Sequence, residues 1–306
     1  MVRTALVGRA VKGEVIKDIV TRFAPSPNGL LHLGHAYSAI YAHDFAREKG
    51  GRFQLRIEDI DGVRSQDELV SNIYEDLKWL GLQWDGEVVF QSGRFADYKL
   101  ALDRLKQSNM LYPCFCSRKD IQSALQIAPT EIGPDGMIYP GTCCHISEAQ
   151  ASERMATEQY SLRLRVDEAS RLAGLAAWVD TEAGLVASKP QMLGDVVLAP
   201  KEIAAAYHLA VTVDDARDGI THVTRGMDLF AATHIHVLLQ KLLNLPQPIY
   251  AHHPVLIEEE NGRKLSKSRD SSALKTLREA GADGPALAAN LRKHKFPIGI
   301  ALGKAY

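Results

Sequence analysis

The chain has 306 residues, 46% of them hydrophobic and 24% charged, with a formal net charge of −1. That length accommodates two domains, or one domain carrying an insertion. The near-zero charge neither requires nor excludes a nucleic-acid partner, because a local basic face can hide in a neutral total. No apolar run reaches the roughly 18 residues needed to span a bilayer. Lys, Glu and Asp interrupt the opening MVRTALVGRAVKGEVIKDIV, which argues against a secretory signal. The composition is that of a cytoplasmic globular protein without a membrane partner. All four cysteines fall between Cys114 and Cys144, which suits a metal site better than a disulfide framework in an intracellular chain of this size.

Residues 1–17 read as a loosely attached extension. A strand is expected over Asp18–Phe23, running into the Pro25-Ser26-Pro27-Asn28-Gly29 turn, with Leu31-His32-Leu33-Gly34-His35 opening a helix. Unpaired backbone N–H groups and the helix dipole make such a strand–turn–helix junction a site for anions. The helix continues through Ala36–Lys49 and stops at Gly50-Gly51. Arg52–Ile57 reads as a second strand ending in Glu58-Asp59-Ile60-Asp61, and Gln66–Leu80 and Phe95–Gln107 read as helices. This rhythm argues for a parallel sheet with crossover helices. Carboxylates at the C-terminal end of a parallel strand lie where such sheets bind ligands. Glu58 is therefore a site candidate, with a solvated acidic loop as the alternative.

From Leu111–Cys116 to about Pro190 the chain is loop-rich and reads as an insertion between two halves of the sheet. The parallel pattern is expected to resume at Gly194–Leu198 and to continue through Tyr207–Asp215 and Ile220–Asp228. A helix over Ala231–Leu243 and a strand-like Ile249–Ile257 follow, leading to Lys264-Leu265-Ser266-Lys267-Ser268. The expected division is an extension at 1–17, a first half-domain at 18–112, an insertion at 113–193, a second half-domain at 194–250, and a C-terminal segment at 251–306.

His32-Leu33-Gly34-His35 and the Lys264–Ser268 turn are each weak alone. Their placement, one after the first strand and one after the sheet has resumed, resembles the HIGH and KMSKS signatures of the class I aminoacyl-tRNA synthetases. That resemblance implies an α/β, Rossmann-like parallel sheet whose two signatures clamp ATP, with Mg2+ accompanying the nucleotide. Catalysis would then be mostly positioning and preorganised positive charge. His32, His35 and Lys267 would be the catalytic residues. Gly34 would let the nucleotide base approach the backbone, and Lys264 with Lys267 would neutralise the pyrophosphate.

The flanking Arg22-Phe23-Ala24-Pro25-Ser26-Pro27, Arg56-Ile57-Glu58-Asp59, Tyr207-His208-Leu209-Ala210, Asp214-Asp215 and Thr224–Asp228 are similar to the glutamyl branch of that class. By this resemblance Arg22, Phe23, Ala24, Pro25 and Ser26 line a glutamate site, and Glu58 faces the α-ammonium. Tyr207 and Arg225 complete the pocket. A guanidinium–carboxylate fork would reject a neutral amide side chain. The alternative for Arg225 is a structural ion pair with Asp228 or Asp215.

Cys114-Phe115-Cys116 followed by Tyr139-Pro140-Gly141-Thr142-Cys143 resembles the zinc site of the glutamyl-Q tRNA(Asp) synthetase family. One structural Zn2+ on Cys114, Cys116, Tyr139 and Cys143 is implied, with Cys144 and His145 as alternatives for the fourth position. Only 38 residues follow Ser268, so a segment without an anticodon-binding domain is expected. The resemblance implies tRNA-independent activation of L-glutamate by ATP, then transfer to the queuosine base in the anticodon of tRNA(Asp), by a monomer. Ala199–Ala204 departs from the Arg and Asp-Gly often present there, which bears on acceptor contacts. The other readings are a compact glutamyl-tRNA synthetase charging an acceptor end, and a non-catalytic RNA-binding module.

Overall fold

The structure is a computed structural model that describes residues 18–61, 67–265 and 273–303. Strand β1 (Val20–Phe23) is buried along its whole length, as a central parallel strand must be. Helix α1 (Leu33–Arg47) carries the chain back, turning Leu33, Ala36, Tyr37 and Ile40 inward. The return to β2 (Arg52–Ile57) passes through Gly51, where an added Cβ would lie 2.3 Å from the Ile19 carbonyl oxygen, so only glycine fits the turn. β2 pairs parallel with β1, Arg22 opposite Gln54. Helix α2 (Asp67–Trp79) crosses to β3 (Val89–Phe90), parallel to β2. Helix α3 (Phe95–Gln107) then leads to β4 (Leu111–Cys114).

The second half builds outward on the other side of β1. The His222–Gly226 strand lies beside it, tied at its start by Thr221 N to Val20 O at 3.0 Å and by Val20 N to Thr221 Oγ1 at 2.8 Å. That strand pairs parallel with Ile249–His253, which pairs parallel with Ala177–Asp180. The Gly184–Ala187 strand closes this edge as an antiparallel hairpin. The chain thus moves in opposite directions from the junction of β1 and His222–Gly226. Such a switch point opens a crevice at the C-terminal ends of the strands, where Phe23 and Gly226 lie.

Three expectations are corrected here. Tyr207–Asp215 is not sheet but the start of the Tyr207–Arg217 helix. Short apolar runs are ambiguous by periodicity, and Leu209, Ala210, Val211 and Thr212 are all buried, which removes the polar stripe a helix normally shows. Gly194–Leu198 does not resume the parallel sheet: Val197–Ala199 pairs antiparallel with Ser161–Leu164, itself antiparallel to β4. Conversely Ala177–Asp180, inside the expected insertion, is a parallel strand of the main sheet. Both reversals depend on long-range pairing that no local pattern encodes.

One core gathers α1, β2 and α2 against Leu274, Ala288 and Leu291 of two short C-terminal helices. A second packs Leu105 of α3 against Leu209, Ile235 and Leu239. Each buried leucine or isoleucine among these contributes on the order of 1.5–3 kcal/mol over an exposed one. No helix among the described residues is long and apolar enough to cross a membrane.

Candidate active site

A cavity of about 470 Å³ occupies the switch point. Arg22, Phe23, Ala24, Pro25, Ser26, His32, Gly34, His35, Glu58, Tyr207, Arg225 and Lys264 all line it, so residues spread over some 240 positions of sequence converge on one space. Lys267 lies outside the described residues. Of the flanking chain, Leu265 lines the cavity and Ala273 forms a bridge to His32.

His32 and His35 cap α1 reciprocally. Gly34 N donates to His32 Nδ1 at 3.0 Å, and His32 N donates to His35 Nδ1 at 3.2 Å. Each ring accepts through Nδ1, so its proton sits on Nε2. The cap therefore fixes two neutral N–H donors at the positive end of the helix dipole. The geometry also supplies a reason for glycine at 34 that the sequence does not: an added Cβ would lie 2.9 Å from His32 Cε1.

Behind the cavity lies a buried ionic network. Arg22 grips Asp215 side-on, Nε to Oδ1 at 2.9 Å and Nη2 to Oδ2 at 3.2 Å, and donates Nη1 to the Thr224 carbonyl at 3.1 Å. Arg56, 1% exposed, reaches Asp215 at 2.8 Å and Asp218 at 3.3 Å. Arg94 bonds Asp214 and Asp218, and Gln91 and the Tyr98 hydroxyl also donate to Asp214. Buried charges persist only when paired and hydrogen-bonded in this way. Burial opposes the Arg56 charge, but Asp215, Asp214, Glu58 and Asp218 more than offset it and raise its pKa. Glu58 sits at the front of the network. Burial pushes its carboxyl up to about 7, with Arg56 and Arg22 pulling against that and Asp215 and Asp214 adding to it.

Arg225 is different. It is 6% exposed, and among the described residues it makes no ion pair. Its Nε donates to His252 Nε2 at 3.1 Å and its Nη2 to Thr233 Oγ1 at 2.6 Å. Nη1 meets His236 Nδ1 at 3.1 Å and the Tyr207 hydroxyl at 3.4 Å. The carboxylates that could have paired with it are engaged elsewhere, Asp215 by Arg22 and Arg56, Asp228 by Lys264. Burial, with Arg225 alongside, holds the His236 pKa well below its ordinary value and lowers that of His252. Both rings are therefore neutral near pH 7, and none of the described residues in this shell offsets the guanidinium charge. Thr224 Oγ1 and His253 Nε2, both on the cavity wall, are buried polar atoms with no hydrogen-bond partner among the described residues.

Arg56, Arg94, His236, His252 and Asp180 carry no site role in the sequence reading. An arginine inside the apolar strand RFQLRI is a signal that could have found Arg56, since a buried charge requires partners. The histidines carry no such local mark.

In the insertion, the sulfurs of Cys114, Cys116 and Cys143 lie within 4.8 Å of one another. The Tyr139 oxygen stands 3.3 Å from Cys114 Sγ and 3.6 Å from Cys116 Sγ. Metal–sulfur bonds of about 2.3 Å in a tetrahedron give sulfur–sulfur edges of about 3.8 Å, close to the 3.5 Å between Cys116 and Cys143. The four donors fit a tetrahedral metal ion. Among the described residues Cys144 and His145 fall outside the group, and His145 is exposed.

A second cavity of about 320 Å³ adjoins the first, sharing Ser26, Asn28, Glu58 and Tyr207. Asp59 and Asp61 form one wall, and Pro200, Ile203 and Ala205 the other.

A histidine-capped helix start, a buried guanidinium with no ion pair among the described residues and a cavity meet at the sheet switch point, the layout of a class I synthetase catalytic domain. Residues 18–298 match the family of tRNA synthetases class I (E and Q), catalytic domain. A glutamyl-Q tRNA(Asp) synthetase of Rhodobacter capsulatus is 48% identical over 271 residues, spanning 86% of this chain and 96% of that protein. One from Neisseria meningitidis serogroup B is 40% identical over 253 residues, spanning 83% and 81%. The crystal structure of the glutamate-tRNA synthetase from Elizabethkingia anophelis matches with a TM-score of 0.70 at 27% identity, covering 82% of this chain and 53% of that one, so the chain spans about half the length of that solved synthetase. The chain belongs to this family of class I ligases and, within it, to the glutamyl-Q tRNA(Asp) synthetases.

Proposed function

We propose that the protein activates L-glutamate with ATP, without tRNA, and then transfers the glutamyl group to the queuosine base in the anticodon of tRNA(Asp). The observation that carries the amino-acid assignment is Arg225, a buried cation without a carboxylate partner among the described residues. Its complement is an anionic side chain. Glu58 then receives the α-ammonium, and Arg22 to Ser26 close around the backbone of the amino acid. One carboxylate oxygen of glutamate attacks the α-phosphorus of ATP, and pyrophosphate leaves, forming glutamyl-adenylate. His32 and His35 donate Nε2–H to the phosphates. Lys264, paired with Asp228 in the free protein, and Lys267 offset the charge of the pyrophosphate, and Mg2+ enters with the nucleotide. A nucleophile on the acceptor base then attacks the acyl carbon and AMP leaves.

The acceptor assignment is supported by the relatives that match over most of both lengths. The second cavity, beside Glu58 and Tyr207, gives the acceptor base a route to the acyl carbon. Cys114, Cys116, Tyr139 and Cys143 hold one structural Zn2+, which fixes the insertion and takes no part in the chemistry.

Pyrophosphate exchange into ATP tests the activation step. Wild-type protein is expected to exchange with glutamate in the absence of any tRNA. Arg225→Ala should raise the glutamate KM on the order of a hundredfold, leaving the ATP KM within about threefold. Exchange that needs tRNA, or equal loss of both substrates, would contradict this reading.

A further inference from the structure

Asp180 and His252 stand directly behind Arg225. His252 Nδ1 lies 2.7 Å from Asp180 Oδ2, with both side chains fully buried. The other carboxylate oxygen, Oδ1, accepts Glu182 N at 2.9 Å and Ala183 N at 3.0 Å. A carboxylate only accepts, so His252 must carry its proton on Nδ1. Its Nε2 is then an acceptor, with Arg225 Nε–H pointing at it at 3.1 Å and the Thr233 hydroxyl 3.3 Å away. Asp180 comes from the strand that joins the main sheet through Tyr250, so the register of that pairing delivers the carboxylate to the ring.

We infer that Asp180 and His252 are positioning residues that fix the orientation of Arg225 and keep its charge available for a carboxylate. The inference rests on the glutamate reading of the cavity. Its chemistry is a matter of which group accepts. Were Asp180 itself against Arg225, the guanidinium would be neutralised and an amide side chain would bind as well as an acid. With an imidazole between them, Arg225 is held by a hydrogen bond that brings no negative charge. His236, accepting from Nη1 through Nδ1, does the same on the other side, and its Nε2 lies 3.2 Å from His208 Nδ1, which extends the chain of neutral rings.

Asp180→Asn separates positioning from bulk. The amide oxygen must serve the Glu182 and Ala183 N–H groups, which turns the NH2 toward His252. The ring is then forced to accept at Nδ1 and its proton moves to Nε2, so Arg225 Nε–H loses its acceptor and the new donor has only the Thr233 hydroxyl, 3.3 Å away, to turn to. His252→Gln keeps an acceptor toward Arg225 and a donor toward Asp180, whereas His252→Leu removes both. In pyrophosphate exchange, Asp180→Asn and His252→Leu are expected to raise the glutamate KM roughly tenfold or more. The ATP KM should stay within about twofold, preference for glutamate over glutamine should fall, and His252→Gln should stay within about threefold of wild type. Equal changes in both KM values, or His252→Gln as damaging as His252→Leu, would overturn the inference. A second readout is independent of catalysis. The 15N shifts of the His252 ring should report Nδ1–H in the wild type and Nε2–H in Asp180→Asn. The same tautomer in both overturns the relay even if the protein proves not to activate glutamate, and a wild type that fails to exchange counts against the glutamate reading alone.

Discussion

Two arginines face the same cavity in opposite electrostatic circumstances. Arg22 is matched by Asp215 before any ligand arrives, so its role is to shape the wall. Arg225 is surrounded by neutral acceptors and has no charge partner among the described residues. Glu58 is the third member of this set. Its carboxyl is pushed up to about 7 by burial, and an incoming ammonium favours the ionised form. The glutamate KM in exchange is therefore expected to rise about tenfold per unit as pH falls below about 7. Glu58→Gln should give a weaker but flat profile. A flat wild-type profile would show that Glu58 does not meet the ammonium. The stability linkage has a definite sign. The folded protein holds this proton more tightly than the unfolded chain, so Glu58 contributes stability below about pH 4.5 that is lost as pH rises through about 7. Glu58→Gln should accordingly stabilise the free protein at about pH 8 more than at about pH 5.

At the scale of elements, the proposed reading makes the start of α1 a donor site for phosphates rather than merely a helix end. Gly34→Ala tests this, because alanine is the better helix former by roughly 1 kcal/mol while its Cβ would displace the His32 ring. The expected result is a nearly unchanged melting temperature, the lost His32 cap offsetting the gain in propensity, with at least about a tenfold loss of exchange rate. Full activity would mean that the position of the ring does not matter. This element was legible in the sequence because strand, turn and cap are contiguous there. β2 and α3 have the bounds the pattern predicts, since glycines or abrupt polarity changes mark their ends. The Tyr207–Arg217 helix was not legible. It is wrapped on its apolar side and carries Asp214 and Asp215 to buried arginines on its polar side, so neither face looks solvated. Asp180 and His252 were invisible for another reason: their meeting depends on the register of Ala177–Asp180 against Ile249–His253, 72 residues apart in sequence.

Across the whole molecule, the cysteine group and the two cavities are linked by a short bridge. Lys201 Nζ donates to the Phe115 carbonyl at 2.9 Å, joining the loop that carries both Cys114 and Cys116 to the segment whose Pro200 and Ile203 wall the second cavity. Loosening the metal site should therefore disturb the acceptor route more than the ATP and glutamate site. Elemental analysis is expected to find one zinc per chain, and Cys116→Ser should lose it. That variant should keep exchange within about threefold while transfer falls by about tenfold or more. Retention of zinc, or equal loss of both steps, would contradict the assignment.

The acceptor of the glutamate separates transfer to an anticodon base from the charging of an acceptor end. Labelled glutamate and ATP should be incubated with the protein and with tRNA(Asp) either carrying or lacking queuosine, beside tRNA(Glu). Label is expected on queuosine-containing tRNA(Asp) alone. Equal labelling of both forms of tRNA(Asp), or labelling of tRNA(Glu), would contradict it.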